Sequence, residues 1–133
     1  MKKGLLIAIL LATVLFTGCS KKDSPETAAK EFISSFMTGD VDAFNKYATD
    51  STKGVFILAM SMKCSQEKLQ NDMSECLKEV GNDLKNVEVK NVQKINDNEA
   101  VVTLKETFQN GKITNEKISV VKTKDGWKVN LKK

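Results

Sequence analysis

The apolar residues of this chain recur at helical spacing in its N-terminal two thirds and at strand spacing thereafter. The first helical run follows Ser24 and Pro25, residue types favoured at the N-cap and the first position of a helix, and Gly39 ends it. Its apolar positions are Ala28, Ala29, Phe32, Ile33 and Phe36. Because residues three and four apart share one face, this pattern predicts an amphipathic helix.

Three more helices are predicted before the strands begin. Asp40 can cap a short second helix that carries Tyr47 in phase with its other apolar residues. A third helix starts at residues 50–53, and its dense apolar run predicts that it is buried. Its apolar residues are Val55, Phe56, Leu58, Ala59 and Met62. A fourth helix starts at Asp72, whose spacing to Glu75 resembles a capping box.

From Asn86 onward apolar and polar residues alternate, which is the period-2 pattern of a strand with one buried face. Turn-forming residues divide this region at 96–98, 110–111 and 125–126. The sequence therefore predicts four antiparallel strands. Helices first and strands afterwards make an α+β fold, with N-terminal helices packed on a bent four-stranded antiparallel sheet.

The residues before this domain have the pattern of a bacterial export signal. Lys2 and Lys3 precede an apolar run that ends at Gly18, and Cys19 follows. A run of about 15 residues is shorter than the roughly 20 that a transmembrane helix needs, and an ordinary signal peptidase site would not need the cysteine. The motif resembles the lipobox of bacterial lipoproteins, which implies cleavage before Cys19 and lipidation of its thiol.

This resemblance divides the chain into a signal peptide (1–18), a lipidated cysteine with a short tether (19–24) and a domain (25–133). It implies that membrane lipid is a partner through Cys19 and that the domain stays close to the bilayer. Ser20 follows the cysteine, where many lipoproteins retained at the inner membrane have aspartate. We therefore expect the outer membrane, facing the periplasm, if the source has two membranes.

Composition excludes several kinds of function. The formal net charge of +4 is scattered and includes Lys2 and Lys3, so it does not predict a nucleic-acid-binding surface. All 21 basic residues are lysine, and histidine is absent. The chain therefore has no imidazole for Ser-His or Cys-His catalysis or for a metal site, and no guanidinium for bidentate binding of an anion. We predict no metal or cofactor, and catalysis would have to rest on Asp, Glu, Lys or the single tyrosine.

Three short motifs resemble a known superfamily. They are Ser24-Pro25-Glu26 at the start of the first helix, Gly39-Asp40 after it, and residues 124–129 at the last strand. Their order is similar to the cystatin-like cone fold of the nuclear-transport-factor-like superfamily, and the layout resembles small bacterial lipoproteins whose domain has no assigned function. The resemblance implies a long helix across a strongly bent sheet, with a cone that some relatives use as a pocket.

Cys64 and Cys76 are the two thiols that remain if Cys19 is lipidated. An exported protein favours a disulfide between them. One continuous helix would hold them about 18 Å apart, however, whereas a disulfide needs less than about 7 Å. A helix break at Asp72, with residues 65–71 folding back as a loop, would allow the bond, and we predict this disulfide. Two buried reduced cysteines are the alternative.

Glu106 and Glu116 are the candidate pair for acid–base chemistry. A three-residue hairpin loop at 110–112 would place them opposite each other, and facing carboxylates would raise the pKa of one of them. A two-residue Asn-Gly turn would shift the register and pair Glu116 with Lys105 in an exposed salt bridge.

Tyr47 and Trp127 complete the candidate pocket residues. Tyr47 invites comparison with isomerase relatives that use a tyrosine inside the cone, although its phase with Phe44 favours core packing. Trp127 is a core residue or a platform for a ligand.

These observations leave two functional hypotheses. The leading one is a membrane-anchored lipoprotein of the cell envelope with a non-catalytic binding or structural domain of unknown ligand. The alternative is an isomerase- or dehydratase-type enzyme that uses Glu106, Glu116 or Tyr47 in the cone. Uncompensated carboxylates in an open cone would favour the enzyme, and a cone filled by core side chains would favour the binding domain. A homodimer or an envelope protein could also assemble on the outer face of the sheet.

Overall fold

A computed structural model describes residues 22–131. The predicted signal peptide and Cys19 lie outside the described residues. The predicted α+β class is confirmed, because the helices come first and a four-stranded antiparallel sheet follows. The helices are α1 (Pro25–Thr38), α2 (Val41–Lys46), α3 (Asp50–Met60), α4 (Gln66–Asn71) and α5 (Met73–Val80). The strands are β1 (Leu84–Asn96), β2 (Glu99–Phe108), β3 (Ile113–Thr123) and β4 (Gly126–Val129).

Local signals fix both ends of α1. The Ser24 side chain accepts a hydrogen bond from the backbone N–H of Thr27 at 3.2 Å, and Pro25 occupies the first turn. Gly39 adopts the left-handed conformation with φ 74°, and its N–H donates to the carbonyl of Ser35. Glycine takes this conformation without a steric penalty, so both predicted ends of the helix are confirmed.

The prediction of a buried third helix is wrong. α3 buries one stripe, in which Thr52 and Met60 are buried and Phe56 is half-buried. The opposite stripe is open to solvent. The exposed fractions there are 43% for Val55, 70% for Leu58 and 84% for Met62. Only one side of the helix packs against α1 and α5, so the dense apolar run does not end up in the core.

The sheet is a meander in which each strand pairs with the next one in sequence. β1 carries three register shifts against β2, at residues 84–86, 89–91 and 94–96. Such β-bulges bend a strand and increase its twist. They are the means by which the long first strand curves around the helical layer.

The core lies between α1 and the concave face of the sheet. Phe32 is fully buried, and its ring centroid lies 5.4, 5.4 and 5.1 Å from those of Phe36, Phe44 and Phe56. Contacts at these distances add to the stabilisation from burial. The sheet supplies buried aliphatic side chains from β2, β3 and β4: Val102, Leu104, Ile118, Val120 and Val129.

Cys64 and Cys76 form a disulfide, with their Cα atoms 5.9 Å apart. The helices break at Asp72, so Cys64, which follows α3, comes back to meet Cys76 in α5. The segment 65–71 is not the predicted loop, because α4 forms there. Asp72 makes no side-chain cap hydrogen bond at the start of α5, so the predicted capping box is wrong as well.

We expect the mature chain, purified from an oxidising compartment, to weigh about two hydrogens less than its reduced form. Reduction should lower the melting temperature, because a disulfide that closes a short loop stabilises a fold by about 2–4 kcal/mol. Mass spectrometry and thermal denaturation with and without reductant measure both effects. A Cys64→Ser/Cys76→Ser variant is the control, since reductant should not shift its melting temperature. Two thiols in the untreated protein that react only after denaturation would contradict the prediction.

Candidate functional site

A cavity of about 320 Å³ opens between the helices and the sheet. α1 lines it with Ile33 and Phe36, and α3 lines it with Phe56. The other apolar lining residues are Val80, Leu84 and Phe108, and the acidic ones are Asp83, Glu106 and Glu116. The cone is therefore filled with core side chains at its centre and open on the side of α3 and α5.

Gly81 closes one side of this cavity. A Cβ atom at this position would clash with the backbone carbonyl and the Cβ of Phe36 on α1. The absence of a side chain lets the end of α5 lie directly against α1. The connection from α5 to β1, which carries Val80 and Asp83 into the cavity wall, is fixed by this contact.

The β2–β3 hairpin decides which side chains enter the cavity. Its loop has three residues, but these are 109–111 and not the predicted 110–112, since the N–H of Phe108 donates to the carbonyl of Lys112 at 2.8 Å. Every pair along the two strands is displaced accordingly.

Glu106 lies opposite Thr114, and Glu116 lies opposite Leu104. Both predicted registers are therefore wrong: the two glutamates are not directly opposite each other, and Glu116 does not pair with Lys105. They are diagonal neighbours on one face, a spacing that long side chains can bridge. A hydrogen bond joins their carboxyl groups, and the Thr114 hydroxyl donates to Oε1 of Glu106 at 3.2 Å.

Glu106 is the buried member of this pair, with 8% of its surface exposed, whereas Glu116 is exposed. Burial is the main influence, and it raises the pKa of Glu106 to about 7. The hydrogen bond and the negative charge of Glu116 act in the same direction, while the Thr114 hydroxyl lowers the pKa. Glu106 therefore changes its protonation state near neutral pH.

The raised pKa predicts that the free energy of unfolding falls as the pH rises from about 4 to 7. Between the ordinary carboxyl pKa of about 4.3 and the folded value of about 7, the folded protein keeps a proton that the unfolded chain releases. The stabilisation that Glu106 contributes is therefore complete below the unfolded pKa and is lost as the pH rises through the folded pKa. Thermal or urea denaturation across this pH range measures the effect.

Glu106→Gln should remove this contribution, so the variant should gain stability relative to the wild type as the pH rises. Glu88→Gln, which changes an exposed carboxyl group on β1, is the matched control and should leave the pH profile unchanged. Parallel profiles for Glu106→Gln and the wild type would show that Glu106 is not the group responsible.

A polar groove of about 410 Å³ adjoins the cavity at the hairpin loop. It shares Asp83 and Phe108 with the cavity. Its other lining residues are Gln109, Asn110, Lys112 and Thr114. The site therefore combines an apolar interior with a polar mouth.

Tyr47 and Trp127, the other two pocket candidates, do not line the cavity. They are core residues with 7% and 6% of their surface exposed. The ammonium group of Lys46 lies 5.1 Å from the Tyr47 ring centroid, and the backbone N–H of Trp127 donates to the Asp23 carboxylate at 3.0 Å. Of the four candidates, only Glu106 and Glu116 come together.

Sequence analysis did not single out Asp83, Phe36 or Phe56 as site residues. Phe36 and Phe56 were expected on apolar helix faces, but a local sequence pattern does not distinguish a core residue from one that lines a cavity. Asp83 lies in the connection between α5 and β1, and no pattern in the sequence indicates that it faces the cavity.

Neither a metal-binding cluster nor a membrane-spanning helix is found within residues 22–131. These residues contain no group of three or more His, Cys, Asp or Glu side chains that could hold a metal ion. None of the helices described there is long and apolar enough to span a bilayer.

Comparisons with known proteins give a fold and a family. The structure is similar to the crystal structure of a Campylobacter jejuni protein that carries the provisional name NTF2-like transpeptidase, with a TM-score of 0.53 and 20% sequence identity. The match covers 82% of this chain and 99% of that chain, and at this identity it shows a shared fold alone. A comparison with curated proteins found none similar to this chain. The family described as "Domain of unknown function (DUF4878)" matches residues 17–130, so the chain belongs to this family.

Proposed function

We propose that this protein is a membrane-anchored lipoprotein of the cell envelope whose cavity is a non-catalytic binding site. The ligand we propose is a small molecule with an apolar body and a cationic or hydrogen-bond-donating group. The open cavity with the buried carboxyl group of Glu106 is the observation that carries this proposal. Cys19, as the lipidated residue, supplies the anchor, and the outer membrane is the proposed location in a source with two membranes.

The lining of the cavity supports this class of ligand. Its walls are apolar and aromatic, and its polar groups are three carboxyl groups: those of Asp83, Glu106 and Glu116. No lysine lines it within residues 22–131, although the chain contains 21 basic residues. An ammonium group would pair with the ionised form of Glu106, while the apolar walls would bury the rest of the ligand.

An isomerase- or dehydratase-type enzyme is the second candidate, and the pKa of Glu106 favours it. A carboxyl group with a pKa of about 7 is suited to general acid–base catalysis. Such a reaction also needs a group that stabilises developing negative charge. Among the described residues, the polar side chains of the cavity wall are all acidic, and Tyr47 lies elsewhere in the core. The binding function therefore has the better support.

The name of the Campylobacter jejuni protein raises transpeptidase chemistry as a further comparison. Penicillin-binding proteins use a Ser-x-x-Lys motif, and residues 65–68 have this spacing on α4. The Ser65 side chain caps α4 by accepting a hydrogen bond from the backbone N–H of Lys68. The ammonium group of Lys68 pairs with Glu79 at 3.1 Å, and this contact raises the pKa of Lys68. A lysine that must act as a base needs a lowered pKa, so this motif does not support the activity here.

Binding of n-octylamine, compared with octanoate of equal chain length, tests the proposal. At pH 8 Glu106 is mostly ionised, so the amine should bind at least about tenfold more tightly than the acid, a difference of ~1.4 kcal/mol. Chemical-shift changes in the NMR spectrum should map to the cavity, and Glu106→Gln should reduce the preference, although Asp83 and Glu116 remain in the lining. The Glu88→Gln variant should keep it. Equal binding of amine and acid, or shift changes away from the cavity, would exclude this site and ligand class.

Assembly through the outer face of the sheet stays a prediction. Lys105 on β2 lies opposite Glu88 on β1, and both belong to the face that points away from the helices. Charged groups of both signs on one face can complement a second copy of the same face. Sedimentation of residues 19–133 over a range of concentrations distinguishes a monomer from a dimer.

A further inference from the structure

The outward stripe of α3 is an apolar surface that the fold itself does not use. We call three residues of α3 (Val55, Leu58 and Ala59) and Met62, in the turn that follows the helix, the α3 outer face. We propose that this face lies against the bilayer that holds Cys19, with its side chains at the boundary of headgroups and acyl chains. The proposal rests on the lipid anchor proposed above and adds a second contact between the protein and the membrane.

Exposure of large apolar side chains is concentrated at this face. Within residues 22–131, six large hydrophobic side chains are exposed. Three of them, Val55, Leu58 and Met62, belong to this face, and Ile57 lies beside it. The other two, Ile95 and Ile113, are far apart on different strands. The stripe that packs α3 onto the core is formed by Thr52, Phe56 and Met60. Core packing therefore gives no reason for the outer stripe to be apolar, and contiguous patches of this kind mark interaction surfaces.

The attachment point of the chain is close to the start of α3. Asp23 is held to the domain because its carboxylate accepts the N–H of Trp127 at 3.0 Å. Val129 lies two residues beyond Trp127 along β4, a distance of about 7 Å. Its carbonyl accepts a hydrogen bond from the N–H of Thr49, which is the N-cap residue of α3. The four residue steps from Cys19 to Asp23 span at most about 14 Å. A lipid on Cys19 thus keeps the N-terminal end of α3 near the membrane surface.

Lysines lie near both ends of α3. Lys53 lies in the first turns of α3, where it pairs with Asp50 at 3.4 Å, and Lys63 follows the helix and is exposed. The backbone N–H of Leu131 donates to the Thr52 hydroxyl on α3, and the sequence after Leu131 continues with two lysines. Residues 21–22, two more lysines, precede Asp23. An apolar stripe flanked by lysines is the pattern of a helix that lies in an anionic membrane interface.

These observations favour a bilayer over a protein partner. The face is a stripe along one helix, and its large side chains are apolar and exposed. A lipid surface needs no complementary shape, and the short tether keeps it permanently within reach. The charge around the stripe matches anionic lipid headgroups.

Indole fluorescence on vesicles tests the proposal. A chain from residue 19 onward contains every described residue and has Cys19 as its free thiol, because Cys64 and Cys76 are bonded to each other. Coupling this thiol to a maleimide lipid in phosphatidylcholine–phosphatidylglycerol vesicles supplies the anchor whether or not the cell lipidates the protein. Leu58→Trp places an indole on the α3 outer face, and Ile113→Trp places one at a control position that is 54% exposed on β3, at the end of the sheet opposite the contact between Asp23 and Trp127. Trp127 is a common background in both proteins.

With brominated acyl chains in the vesicles, the indole at position 58 should lose more than about half of its fluorescence, as expected for a side chain at the acyl boundary, and the one at position 113 should keep it. Equal quenching at both positions, or none at either, would overturn the proposal. A blue shift at position 58 that grows with protein density and occurs without quenching would assign the face to a second copy of the chain, which also overturns it. Failure of the native anchor would show separately, in the Cys19 experiment below.

Discussion

Cys19→Ala should move the protein from the membrane-attached mature form to an unprocessed precursor that carries no lipid. The thiol of Cys19 is the atom that would bond to the lipid, and alanine has nothing to replace it. One acyl chain binds a bilayer marginally, whereas two or more hold a protein stably, so the lipidated and unlipidated forms should differ almost completely. Labelling of cells with a fatty acid, followed by mass measurement of the product, distinguishes the lipidated mature chain from the precursor.

Ser20→Ala is the matched control, since it changes the neighbouring residue and leaves the thiol in place. It should incorporate lipid and mature like the wild type. If Cys19→Ala protein still incorporated lipid and had the mass of the mature form, the proposed anchor would be wrong. The fold and the cavity would be unaffected by that result, because every contact described for them lies within residues 22–131.

The elements that sequence analysis predicted well are those fixed by local interactions. Ser24 caps α1 through a bond to a residue three positions away, and Gly39 ends the same helix through its own backbone conformation. The strand meander follows from alternation and from turn residues between adjacent segments, and it is confirmed in the same order. Each of these features depends on a few neighbouring residues, so the sequence pattern contains the whole cause.

The features that were predicted wrongly depend on distant parts of the chain. α3 has enough apolar residues for a buried helix, but burial depends on what packs against it, and only one side meets other elements. The hairpin loop was misplaced by one residue because Asn110-Gly111 is compatible with several turns, and the backbone pairing of Phe108 with Lys112 selects one of them. The cavity wall at Gly81 exists because α5 meets α1, which no local pattern indicates.

The candidate site was therefore predicted only in part. Glu106 and Glu116 were recognised as a candidate pair, although both predicted registers were wrong. The two side chains still meet because a one-residue shift of the loop moves the partner of each residue by two positions along the opposite strand. A move of two positions keeps a side chain on the same face of the sheet. Asp83 and the wall residue Phe56 come from other parts of the chain, and no sequence pattern predicted that they line the cavity.

Phe32→Ala should destabilise the fold by about 3–5 kcal/mol, the usual cost of deleting a buried phenylalanine. Phe32 is fully buried, and its ring is the centre of contacts with Phe36, Phe44 and Phe56, which join α1, α2 and α3. Its removal leaves a space that none of these helices can fill without leaving the sheet. Urea denaturation followed by circular dichroism measures the loss, and the midpoint should fall accordingly.

Phe56→Ala is the control for this prediction, because it deletes the same side chain at a half-buried position in the cavity wall. The space it vacates opens to the cavity and can fill with water, so the loss of stability should be clearly smaller than for Phe32→Ala. The change should also widen the cavity and alter binding of n-octylamine, which Phe32→Ala should affect only through unfolding. Equal destabilisation by the two variants would mean that Phe56, like Phe32, is part of the closed core and that the cavity does not extend to α3.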